Sequence, residues 1–217
     1  MKILRATWLG LTGMALTAWV GTATGGVVVP LEMAVQAQTQ TRAAGTSSTA
    51  MSREEKVANA MTAAPQSISG GATILDWPAT MGGKPSTVRP GTNGWNCLPD
   101  DPTTEGNDPM CLDAAWMQWM EAFMAKTEPR VPNVGIGYMI APGGSWGSNT
   151  DPVATGRTAT NQWHLHPPHM MIAVPDIRAL DGLPTDPAGG GPYVMWKGTP
   201  YAHVMAPVSA MDHSMMK

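Results

Sequence analysis

The chain has 217 residues, with 13 Lys and Arg against 16 Asp and Glu, a net charge of −3 at pH 7. Only 13% of residues are charged and no Lys/Arg run occurs, which argues against nucleic acid or an anionic membrane surface as partner. The 24 Gly and 20 Pro fall short of a low-complexity chain but imply long irregular connections.

The N-terminus has the pattern of a signal peptide. Lys2 and Arg5 precede an apolar run over residues 8–20, too short to be an ideal membrane span. Small residues allow cleavage after Ala23 or after Ala37, and Ala37 is favoured because polar residues 38–41 begin there. An uncleaved N-terminal anchor is the alternative. Removing residues 1–37 takes away Lys2, Arg5 and Glu32 and moves the net charge from −3 to −4. No cysteine lies near either cleavage site, so no lipid anchor and no stable membrane anchor after cleavage is expected. The expected location is periplasmic or secreted, and the remaining length suits one domain.

Residues 38–52 are small and polar and read as a disordered linker. Ser52 and Glu55 have the spacing of a capping box, so a helix is expected over 53–63, ended by Pro65. A short strand is expected over 72–77, with Trp77 and Trp95 covering the core from loops. Cys97 and Cys111 are the only cysteines, and in an exported chain they most simply form one disulfide. Such a bond closes a loop worth roughly 3 kcal/mol in chain entropy.

Asp113 is placed to cap a second helix over 114–126, on which Trp116, Trp119, Met120, Phe123 and Met124 form one core stripe. Residues 134–140 alternate as a strand, with Gly135 and Gly137 on one face where something can approach the backbone closely. Residues 141–162 read as a long loop with Trp146 at its apex, of the length that is often functional. A strand over 169–174 and a hairpin of 193–196 with 201–206 follow, and residues 209–217 read as a flexible tail. The expected fold is therefore α+β: one domain over 53–208, with two helices packed on an antiparallel sheet of about four strands.

The run Gly94-Trp95, Cys97-Leu98-Pro99-Asp100 and Asn107-Asp108-Pro109-Met110-Cys111 has companions in Pro192-Tyr193-Val194-Met195-Trp196 and Pro200-Tyr201-Ala202-His203. Together they resemble a family of exported bacterial proteins of unknown function, over roughly residues 54–208. The resemblance implies an exported single domain and brings no activity or catalytic residue.

All five histidines follow residue 163. His164 and His166, with Trp146, are candidate contacts for an unknown small ligand or protein partner. His169 and Met171 share one strand face, as do His203 and Met205, so two imidazoles and two thioethers could converge on Cu(I) if the strands are neighbours. The plainer account of the same residues is a Met-filled core. The acidic loop Asp100, Asp101, Glu105 and Asp108 offers hard oxygen ligands but lacks the alternation of a calcium-binding loop. No nucleophile elbow, metalloprotease, phosphate-loop or dinucleotide motif occurs, and His169 or His203 is the best candidate base for a small hydrolase. The leading reading is an exported binding or interaction domain, with a copper(I)-binding protein and a hydrolase as alternatives.

Overall fold

The computed structural model describes residues 51–80 and 82–208. The expected signal segment, most of the expected linker and the expected tail lie outside the described residues. Among these residues ten strands dominate: β1 (Thr73–Asp76), β2 (Ser86–Arg89), β3 (Asn96–Leu98), β4 (Met110–Leu112), β5 (Gly135–Met139), β6 (Ser145–Ser148), β7 (Trp163–His166), β8 (His169–Ala173), β9 (Tyr193–Met195) and β10 (His203–Pro207). Eight form one sheet in the order β2-β1-β3-β4-β5-β8-β10-β9, with β1 and β3 parallel and the other neighbours antiparallel. The remaining two, β6 and β7, form a separate antiparallel ribbon. Among the described residues the α-helices are three and short: α1 (Arg53–Ala60), α2 (Gln66–Ser69) and α3 (Ala114–Met124).

This corrects the expectation of two helices on a four-stranded sheet. The extra strands are three to four residues long, too short to show a period of two, and sit between Gly and Pro residues. β3 and β4 flank the acidic loop, and β6 lies inside the stretch read as one long loop. Their pairing comes from neighbouring strands, which single-segment propensity does not report.

The helices begin where the caps require. Ser52 Oγ accepts from Glu55 N at 3.2 Å, and the Glu55 carboxylate accepts from Ser52 N at 2.7 Å, completing the box. Asp113 does two jobs: one oxygen accepts from Trp116 N and the other from Ile136 N, both at 2.7 Å. The cap of α3 is thereby tied to β5, over which the helix crosses. Gly135 permits the crossing, since a Cβ there would sit 2.8 Å from Trp116 N.

The sheet is covered on both faces. On one, α1 packs over Ala72, Ile74, Cys97 and Cys111, and the latter two are joined by a disulfide directly across β3 and β4. On the other, α3 sets Trp116 and Trp119 against Leu98, Leu112, Met171 and Met205. Along each strand the alternation decides which residues go where: Cys111 points to the α1 side and Leu112 to the α3 side. Among the described residues, no helix is long and apolar enough to cross a membrane.

Candidate functional site: an indole-walled chamber

The α3 face of the sheet is only partly filled by the helix. The β6–β7 ribbon folds over the remainder. Gly144, at φ +71°, makes the turn into β6, and a Cβ there would lie 2.2 Å from the His166 carbonyl, so only glycine fits. Two seams hold the ribbon down. Trp146 N donates to the Glu105 carbonyl at 3.1 Å, joining the ribbon to the acidic loop. Trp196 Nε1 donates to the Ser148 carbonyl at 2.7 Å, joining it to the end of β9.

Between ribbon, helix and sheet lies a chamber of about 720 Å³. Six of the nine tryptophans line it: Trp77, Trp116, Trp119, Trp146, Trp163 and Trp196. Trp119, Phe123 and Trp196 are stacked within 9–11° of parallel, with centroids 5.5–6.1 Å apart. His203 meets Trp116, Trp119 and Trp196 edge-on at 5.0–5.4 Å. Such tilted contacts set the positive ring edge of one group against the negative face of another.

Strand register places the remaining wall. Met205 pairs with Tyr193 on β9 and with Met171 on β8, and Met171 pairs with Gly137 on β5. These four positions form one row across the sheet, and Gly137 leaves space that the Met171 methyl group fills. His169 is two residues before Met171 and pairs with Pro207, so it lies on one side of the row, while His203 lies on the other. His166 comes from the ribbon and reaches the row through Tyr193, with Nδ1 2.7 Å from Oη. Its ring centroid is 6.4 Å from that of His169.

Three chamber histidines are thus buried, each 2% exposed. His169 Nδ1–H donates to the Pro167 carbonyl at 2.6 Å and His203 Nδ1–H to the Tyr201 carbonyl at 3.0 Å. A carbonyl can only accept, so both rings carry their proton on Nδ1 and a lone pair on Nε2. The Nε2 atoms of His166 and His169 are buried with no hydrogen-bond partner among the described residues. Burial, with the neighbouring imidazoles as a lesser cause, pulls all three down to about 4. They are neutral at ordinary pH, which makes them acceptors or ligands rather than cations.

The mouth is acidic. Half-buried Asp101 and exposed Glu105 and Asp151 line it, against Lys126 as the one Lys or Arg of the lining among the described residues, while Asp108 is buried behind them. The loop between the cysteines is closed by its own carboxylates: Asp100 accepts from Asp108 N at 2.8 Å and Asp108 accepts from Asp101 N at 3.1 Å and Thr104 Oγ1 at 2.8 Å. Burial first, then the shared hydrogen bond with Asp100, pushes Asp108 up to about 6.

Of the residues singled out from sequence, Trp146, His166, His169, Met171, His203 and Met205 line the chamber. His164 lies on β7 with its ring 6.5 Å from His166, outside the lining. Sequence reasoning missed Tyr193 and the convergence of Trp77, Trp163 and Trp196 on one space. The signal for the latter was the number of indoles, more than a small core needs. Among the described residues no group of three His, Cys, Asp or Glu side chains is placed to hold a metal ion, so any metal on this wall would need the thioethers. No family model, characterised protein or solved structure matches the chain.

Proposed function

We propose that the chain is an exported binding domain that holds a small, mostly apolar ligand in the indole-walled chamber. The chamber itself is the observation that carries this reading: its volume falls within the range of small-molecule sites, and its wall combines aromatic rings with a few buried polar groups. The disulfide supports an oxidising location. The hydrolase alternative gains no support, because the chamber histidines bond to backbone carbonyls and a tyrosine, with no carboxylate or serine orienting them among the described residues. Titration of the full-length exported protein with N-phenyl-1-naphthylamine tests the reading. One saturable site, with energy transfer from Trp to the dye and at least tenfold weakening by Trp119→Ala, is expected. Absence of saturable binding would overturn it.

A second reading rests on a different observation, the pairing of Met171 with Met205 on the chamber wall that also carries His169 and His166, whose Nε2 atoms have no partner among the described residues. Two thioethers and two neutral imidazoles suit Cu(I). His203, boxed by three indoles, would stand aside from that set. Anaerobic Cu(I) titration should then give one equivalent that is lost in Met205→Leu and kept in His164→Ala. Retention in Met205→Leu would exclude this ligand set.

A further inference from the structure

The identity of the chamber's walls also constrains the charge of what enters it. This step rests on the binding reading above and narrows it. Indole faces carry negative electrostatic potential and attract cations, more strongly where water is excluded. The chain already uses one such face: the Arg157 guanidinium lies 5.4 Å from the centre of the Trp146 ring.

The mouth adds to this. Among the described residues the ion pairs are Lys56–Asp76, Arg178–Asp176 and Lys197–Asp181, none of which involves Asp101, Glu105, Asp108 or Asp151. Asp101, Glu105 and Asp151, held in none of these ion pairs and facing Lys126 alone among the lining Lys and Arg side chains, leave the opening net negative and focus that potential into the apolar cleft. The disulfide and the Asp100–Asp108 hydrogen bonds hold two of them, Asp101 and Glu105, on a closed loop at that opening.

The inner polar groups call for a donor. His169 and His203 present acceptor lone pairs on Nε2, opposite the ring atom that bonds the backbone. At His169 that lone pair is buried and unused, which is costly unless something supplies a hydrogen. A neutral acceptor deep inside, aromatic walls and an anionic opening all fit a positively charged N–H donor carrying an apolar body. We infer that the chamber selects an aryl-alkyl ammonium of one or two rings over its uncharged counterpart.

Isothermal titration of the full-length exported protein with 2-naphthylmethylammonium and with 2-naphthylmethanol separates charge from shape. The ammonium should bind at least tenfold more tightly in low salt. That margin should shrink several-fold in 0.5 M NaCl and in the Asp101→Asn, Asp151→Asn double variant. The salt arm uses the unaltered protein, so the conclusion does not depend on the variant folding. Equal or tighter binding of the alcohol overturns the charge selection while leaving the chamber as a binding site. If neither naphthyl compound binds but N-phenyl-1-naphthylamine saturates, the inference fails alone. If none of the three binds, the binding reading fails with it.

Discussion

Acid should weaken this fold, and the chamber histidines set the size of the effect. In the unfolded chain an imidazole takes up its proton near pH 6.5; buried in the chamber, His166, His169 and His203 do so only at about 4. Their contribution is present above pH 6.5 and is lost as pH falls toward 4, because the unfolded state binds protons that the folded state refuses. At pH 5 each group costs about 2 kcal/mol, and the three together about 6 kcal/mol. Asp108 runs the other way. Its carboxyl is raised from 3.8 to about 6, so its contribution is present below pH 4 and lost as pH rises through 6. At pH 5 it returns about 1 kcal/mol. The net loss between pH 7.5 and pH 5 is about 5 kcal/mol, a large part of the roughly 5–15 kcal/mol available to a domain. Guanidinium unfolding followed by Trp fluorescence should show the midpoint falling by about 1 M between those pH values. His203→Phe keeps a ring among the indoles and should remove about a third of the pH dependence. A midpoint that is flat or rises from pH 7.5 to pH 5 would refute the claim that these histidines are held neutral.

Gly135→Ala should cost about 1–3 kcal/mol, because the new methyl meets the backbone of α3 at Trp116; chemical denaturation measures it. Reducing the Cys97–Cys111 bond, or replacing both with Ser, should cost roughly 3 kcal/mol and leave one cooperative transition. Asp108→Asn should steepen the loss of stability between pH 7.5 and pH 5 from about 5 to about 6 kcal/mol, since nothing then offsets the histidines, and raise stability above pH 7, since no buried charge remains to be held there. Tyr193→Phe leaves His166 Nδ1 without its partner and should cost about 1–3 kcal/mol by the same denaturation assay.

The parts of this fold that were legible are those whose signals are local. Ser52 with Glu55, and Asp113 ahead of the Trp116–Trp119 stripe, announce helix starts because a cap and its partner lie within four residues. The hairpin of Tyr193–Met195 and His203–Pro207 is short-range and was visible for the same reason. The glycines at 135 and 137 correctly implied a close approach, which proves to be α3 at one and Met171 with Leu112 at the other. What could not be read is pairing at a distance. β1 runs parallel to β3 and β5 pairs with β8, and neither contact leaves a mark in its own few residues. The chamber shares that property. His166 belongs to the ribbon and His169 to the sheet, so only Pro167 and Pro168 separate groups on different layers. Trp77, Trp163 and Trp196 likewise come from elements far apart in sequence.

The most direct measurement is a methyl spectrum of the full-length protein labelled at methionine, titrated with N-phenyl-1-naphthylamine. Met110, Met120, Met124, Met139, Met171, Met195 and Met205 line the chamber, whereas Met61 packs in the separate cluster under α1. Saturable shifts confined to these chamber methyls, with Met61 unmoved, are predicted. Shifts at Met61 equal to those at Met171 and Met205, or none at the chamber methyls, would contradict the assignment of this space as the binding site.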